Sequence, residues 1–310
     1  MKNYTPVKQL DHLIVRVDYP APLFALLSGT LQLPIAWPLR TYPSFTSGGI
    51  TLGNLYLELL SCGTHSTDAR FVAMAFEADS LEESVRELKH RKVPHGPIVP
   101  YVEVGPDGKK TKLYSNVILG KLLGSSFWID SMIRMGRLPG SSAMANPGAG
   151  GAMVKWGMDK VMRGNLVFLV EYAYGEFKDL PHWSEFESHD EKRAADRATL
   201  AACDGGPLGV LSVKEIVAGV KDVEGARERW RDFLGPVVGQ SSERIEIADG
   251  PAVRLVPANQ NAIQTLVLNV SSLKRAETFL AQSGMLGDVK DNQLRIARER
   301  VHGLDVRLVQ

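Results

Sequence analysis

A chain of 310 residues, 44% hydrophobic and 23% charged, carries enough apolar material for two globular domains of about 150 residues each. Its formal net charge of +1 gives no sign asymmetry, which argues against nucleic acid or an anionic membrane as the main partner. The start MKNYTPVKQLDH has no apolar signal region, no apolar run is long enough to span a bilayer, and Cys62 and Cys203 stand far apart without metal-ligand spacing, so a reducing, cytoplasmic setting is expected.

The first unit opens with the apolar stretch Leu10 to Val17, a buried strand that places His12, Ile14 and Arg16 on one face. Pro22 to Ser28 reads as a short helix with Gly29 as its left-handed cap, and Trp37, Pro38, Pro43 and Gly48-Gly49 read as loop and turn. Ile50 to Leu60 forms one long strand or a hairpin about Gly53-Asn54, with Glu58 among apolar neighbours. A carboxylate there requires a partner. The second unit runs from the strand Phe71 to Phe76 into a helix capped by Asp79-Ser80, with Glu83 completing a capping box and Leu81, Val85 and Leu88 forming the apolar stripe. Two strands flank the turn Pro106-Asp107-Gly108, and the strand Leu166 to Tyr172 again carries a carboxylate, Glu171.

The segment 121–163 breaks this rhythm. It is rich in Met and Trp, including Trp128, Met132 and Trp156, and reads either as a loosely packed helical insertion or as a lid over an apolar ligand. Residues 177–208 are polar, end at Gly205-Gly206-Pro207 and form a linker, helical in its middle. There His182, Glu185 and His189 share one helix face, either a solvated stripe or a metal-binding one. The third unit has a strand at Leu211 to Val220, a helix from Asp222 to Leu234 with Trp230 and Phe233 inward, and two strands. The fourth repeats the order from Thr265 to Val309. Strand-to-helix junctions thus recur near positions 18, 79, 221 and 271, the mark of a duplicated supersecondary unit.

A strand with a histidine near its start, a helix, a hairpin, and a closing strand of apolar-Glu-apolar character resembles the vicinal oxygen chelate superfamily, which includes glyoxalase, bleomycin-resistance and extradiol dioxygenase proteins. The glyoxalase-like branch is the most similar. The resemblance implies an α+β chain of four βαβββ modules paired into two cup-shaped mixed-sheet domains: 1–176 with the insertion 121–163, the linker 177–208, and 209–310. It also implies a divalent metal ion, zinc, iron, manganese or nickel, on the floor of the first cup. Position by position, His12, Glu58 and Glu171 match the metal ligands, Glu58 or Glu171 would double as the catalytic base, and Arg16 would bind the substrate, while the insertion with Trp128, Met132 and Trp156, which matches nothing in the family pattern, would close over it and exclude water.

No histidine or glutamine stands at the start of the Phe71 strand, where a fourth ligand is expected, and His65 in the preceding loop is the nearest replacement. Glu58 could instead pair with Arg16 or Arg70 as a structural ion pair. The closing strands of the last two modules, judged at Val253, Leu255, Val306 and Leu308, supply no carboxylate, so that half reads as structural or dimer-forming, with a homodimer as the expected assembly. The expected function is a metal-dependent lyase, isomerase or hydrolase acting on a fairly apolar small molecule with a carbonyl or vicinal oxygens, dioxygenase chemistry being disfavoured by the single histidine. The alternative is a metal-free protein that sequesters a hydrophobic or aromatic compound.

Overall fold

The computed structural model of the protein describes residues 5–42, 45–61, 68–104, 108, 110–120, 122–123, 165–174, 185–235, 244–247 and 250–310. Trp128, Met132 and Trp156, with Cys62, His65 and His182, lie outside the described residues.

The first sheet contains β1 (Gln9–Arg16), β2 (Ile35–Thr41), β3 (Thr46–Thr51), β4 (Tyr56–Ser61), β5 (Arg70–Glu77), β6 (Val99–Val104), β7 (Lys110–Leu119) and β8 (Leu166–Tyr172), in the order β2-β3-β4-β1-β5-β8-β7-β6. β1 is parallel to β4 and antiparallel to β5, and β5 is parallel to β8. Two four-stranded modules thus meet back to back along the β1–β5 pair. The second sheet repeats the plan with β9 (Val210–Val220), β10 (Arg244–Ile245), β11 (Ala252–Pro257), β12 (Ala262–Val270), β13 (Leu286–Lys290), β14 (Gln293–Ile296) and β15 (Asp305–Val309), ordered β10-β11-β9-β12-β15-β14-β13. Both sheets are mixed and curled, the α+β architecture that the repeat implies.

Of the helices α1 (Pro20–Ala25), α2 (Leu81–His90), α3 (His189–Ala202), α4 (Val223–Leu234) and α5 (Leu273–Gln282), the first starts on a proline without a side-chain cap and the other four start where the sequence provides caps. Ser80, Ser188 and Ser272 each accept the backbone N–H three residues on, and Asp222 does the same for Gly225. The helix-side faces of both sheets merge into one apolar core, in which Phe76 of β5 meets Trp230 and Phe233 of α4 edge-on. Among the described residues, no helix is long and apolar enough to cross a membrane.

Two local expectations give way. The first helix starts at Pro20 and runs on through a π turn at Leu26–Thr30, because Leu31 N–H reaches back to the Leu26 carbonyl, and Gly29 lies inside that turn rather than capping it. The segment around Trp37 and Pro38 is not a loop but the edge strand β2, a place where proline costs no ladder bond, and Gly48-Gly49 lie within β3.

Candidate active site in the first cup

The concave face of the first sheet is built from β4, β1, β5 and β8. In β1 the pairing with β5 shifts register between Leu10 and His12, so Leu10 and Leu13 both enter the helix-side core while two polar residues, Asp11 and His12, fall between them. The apolar part of this face is formed by Ile14, Leu60, Ala73, Ala75, Phe168 and Val170, against which Phe45, Tyr114 and Tyr172 pack.

The His12 ring is held on both sides. Its Nδ1 lies 2.6 Å from Asp11 Oδ2, and its Nε2 lies 3.4 Å from Glu58 Oε2. The Asp11 carboxylate can only accept, so His12 donates from Nδ1 and directs Nε2 at Glu58. Glu58 is itself fixed, since its Oε1 accepts from Ser47 Oγ at 2.6 Å and Ser47 Oγ accepts from Trp37 Nε1 at 3.2 Å. A Cβ on Gly49 would stand 2.4 Å from the Trp37 ring, so glycine at that position is what lets the indole reach Ser47. Burial opposes a charge on His12, but the hydrogen bond it donates to Asp11 and the charges of Asp11 and Glu58 outweigh it and raise the imidazole pKa above its ordinary value.

Behind this pair lies a second polar layer supplied by α3, the helix of the linker. Arg193 Nη2 donates to Asp11 Oδ1 at 2.6 Å, His189 Nδ1 lies 2.8 Å from Glu77 Oε2, and Tyr172 OH donates to Asp11 Oδ2 at 2.7 Å. Further along the helix, Lys192 Nζ and Tyr56 OH converge on Asp196 Oδ2 at 2.6 and 2.7 Å. Burial alone would push the Asp11 carboxyl up. The charges of His189 and Arg193 and the bond to His12 overcome it and hold the group well below the usual carboxylate range.

The arrangement can be set beside known proteins. No protein-family profile and no curated protein matches the sequence. Solved structures do match the fold along nearly its full length. A Mn(II)-bound glyoxalase from Novosphingobium aromaticivorans is 11% identical, with 98% of this chain and 82% of that chain covered at a TM-score of 0.52. The 2,3-dioxygenase LapB from Pseudomonas sp. KL28 is 10% identical, covering 98% and 92% at 0.50. An extradiol ring-cleaving dioxygenase from B. fuscum is 9% identical, covering 99% and 72% at 0.54. The chain has the vicinal oxygen chelate fold.

Within this vicinal oxygen chelate fold, the sequence-expected residues separate. His12 and Glu58 meet. Glu171 does not join them: Phe168, Val170 and Tyr172 take the concave face of β8, so the residue between the last two points the other way, and Glu171 Oε2 accepts the Leu81 N–H at 2.7 Å at the start of α2. Its work is that of a helix cap. Glu171→Gln is therefore expected to cost about 1 kcal/mol in denaturant unfolding while leaving ligand and metal binding in the cup unchanged. Arg16 lies buried at the far end of β1, on the face of His12 and Ile14. His189 is no exposed stripe residue, since it is 3% exposed and opens α3, with Glu185 lying before that helix. The closing strands of the second sheet also differ from expectation. Val253, Leu255, Val306 and Leu308 all face the core, and the opposite face carries Arg254, Asp305 and Arg307.

Two donor sets bear on a metal ion. Asp11, Glu77 and His189 each bring a ligand atom within 4.8 Å of the others, a buried group that could bind one. Arg193, however, touches Asp11 at 2.6 Å and puts Nε 3.9 Å from Glu77. A divalent cation about 4 Å from that guanidinium would meet about 8 kcal/mol of repulsion at an effective dielectric near 20. This set is already neutralised from within the chain. His12 and Glu58 fit better: Nε2 and Oε2 face one another while the other atom of each side chain is tied to Asp11 and Ser47, the outer-shell bracing that metal ligands characteristically have.

Proposed function

We propose that the first cup is the active site of a glyoxalase-like, metal-dependent enzyme, a lyase, isomerase or hydrolase, acting on a planar, largely apolar small molecule that carries a carbonyl or vicinal oxygens. The single observation that carries this reading is the braced pair, with His12 Nε2 and Glu58 Oε2 3.4 Å apart in a buried cup. These two residues would hold the ion, and a divalent ion there supplies Lewis acidity toward a substrate oxygen and a bound water of lowered pKa. Asp11 fixes the ring and tautomer of His12, and Ser47 with Trp37 fixes Glu58. The substrate's plane is matched by an aromatic wall: Tyr101 and Tyr114 stack at 4.9 Å, Phe45 stands edge-on to Tyr101 at 6.3 Å, and Tyr172 stands edge-on to Tyr114 at 6.4 Å. Arg16 serves an anionic substituent. The second module contributes no donor from Ala75 or Phe168, so the remaining coordination positions are left to water and substrate oxygens.

That same absence of donors on Ala75 and Phe168 favours one alternative, metal-free sequestration of an aromatic compound in the same cup. Metal analysis of protein purified without added ions separates the two. The enzyme reading expects stoichiometric metal in the parent protein and in Glu171→Gln, with loss in His12→Ala and Glu58→Gln. Metal-free parent protein whose tyrosine fluorescence still responds saturably to a catechol or an aromatic aldehyde would overturn it in favour of sequestration.

A further inference from the structure

The strand order of the first sheet puts β2 and β6 at its two opposite edges. Laid flat, eight strands spaced about 4.8 Å apart would separate those edges by about 34 Å. Yet Phe45, in the turn between β2 and β3, stands edge-on to Tyr101 of β6 with ring centroids 6.3 Å apart. The curl of the sheet therefore brings both rims of the first cup together, and among the described residues side chains rather than a strand ladder bridge the seam.

Each side of the seam is shaped for this contact. On one, the Tyr42 N–H donates to the Phe45 carbonyl at 2.7 Å, and the two rings stack at 4.6 Å. On the other, Tyr101 and Tyr114 are register partners across the β6–β7 ladder and stack at 4.9 Å with their planes 6° apart. All four rings are partly exposed, as befits a rim rather than a core. Tyr114 leads inward: Tyr172 meets it edge-on at 6.4 Å and donates its hydroxyl to Asp11, which orients His12. Burial, then the neighbouring ionisable groups of Tyr101, Glu58 and Tyr42, push the Tyr114 phenol well above its ordinary pKa, so the opposite rim and the cup floor both lie within electrostatic reach of it. The second cup is built differently, since its edge strands β10 and β13 carry no aromatic residue.

A seam held by a few ring contacts can part without breaking a backbone ladder. We infer that these four rings gate the first cup: the contact of Tyr42 and Phe45 with Tyr101 and Tyr114 opens to admit a small molecule to the space that holds His12 and Glu58, and closes behind it. This rests on the reading of that cup as a small-molecule site, catalytic or sequestering, and adds how it is entered.

The test uses the full-length protein with F45A and Y101A. Amide hydrogen exchange reports the opening: F45A is expected to quicken exchange in β6–β7 and Y101A in β2–β3, each by about threefold to tenfold, the equivalent of one aromatic pair, with β12 and β15 unchanged. Should F45A unfold, F45L repeats the measurement with apolar volume kept. Entry is read by diethyl pyrocarbonate modification of His12 at fixed pH in the presence of a chelator, located by peptide mass. Its Nδ1 is bonded to Asp11, so the reagent must enter the cup to reach Nε2. Both variants are expected to speed this reaction by a similar factor relative to His90, whose side chain is 79% exposed, and F45A/Y101A is expected to be no faster than the faster single variant, because one contact is lost in each case. Exchange altered only in the hairpin that carries the substitution, additive effects in the double variant, or His12 reactivity that neither variant moves would overturn the gate. Neither readout needs metal or turnover, so metal-free protein that shows both effects would end the enzyme proposal and leave the gate standing.

Discussion

Asp11→Ala is expected to lower the stability of the folded chain by about 3–5 kcal/mol, measured by denaturant unfolding, the cost of leaving a buried cation without its partner. Asp11 is fully buried, and its carboxylate is shared by Arg193, His12 and Tyr172, with His189 Nε2 at 3.5 Å. The substitution strands the Arg193 guanidinium, whose side chain is 2% exposed. Asp11→Leu combined with Arg193→Met is expected to recover much of the loss, because an apolar pair of similar volume pays no desolvation. The pH dependence follows from the same contacts. The folded pKa of Asp11 lies below its unfolded value near 3.8, so its contribution is present above that value and is lost as pH falls through the folded pKa. The folded pKa of His12 lies above its unfolded value near 6.5, so its contribution is present below that value and is lost as pH rises through the folded pKa. Both act together between about pH 4 and 6.5, and in Asp11→Asn the acid-side loss is expected to flatten. An unchanged acid limb in that variant would show that the network does not control stability.

Gly206→Ala is the second substitution with a large expected effect, about 2–5 kcal/mol. Gly206 has φ of +64°, and a Cβ there would stand 2.2 Å from the Leu31 carbonyl oxygen, a backbone atom that cannot rotate away. The turn it occupies is fastened from the other side by α5, where Arg275 bonds Asp204 and the carbonyls of Gly206 and Pro207. Gly108→Ala separates the two contributions. Its φ is +77° with nothing within 4 Å of the added methyl, so only the backbone penalty of about 1 kcal/mol applies. Equal losses in the two variants would mean that the contact with Leu31 carries no energy.

Much of this architecture is written in period and punctuation. Apolar runs followed by capped helices, as at Ser80 and Ser272, repeat through the chain, and each marks a module in the structure. The meeting of His12 with Glu58 was legible because each is a charged or polar side chain inside an apolar strand. Glu171 was misread because strand alternation decides the face and a single position decides the parity: the cup takes Val170 and Tyr172, and the carboxylate between them goes to α2. Strict alternation would turn Asp11 away from His12, and only the bulge keeps the two together. The signal was two consecutive polar residues within an otherwise apolar strand, the pattern a bulge accommodates. His189, Lys192 and Arg193 look like the solvated face of a polar helix. Local sequence says nothing of their burial: His189 and Arg193 meet acids more than a hundred positions upstream, and Lys192 meets Asp196 of its own helix beside Tyr56.

The linker helix α3 carries a consequence for how the chain can be divided. Three of its first five residues, His189, Lys192 and Arg193, are sealed in the first sheet's concavity, although they follow every strand of that sheet in sequence. A fragment cut at residue 176 would retain Asp11 and Glu77 while discarding Arg193, the guanidinium that lies against both. The amino-terminal half is in this respect an unfinished electrostatic unit, completed only when synthesis has passed its own last strand and the following helix has folded back.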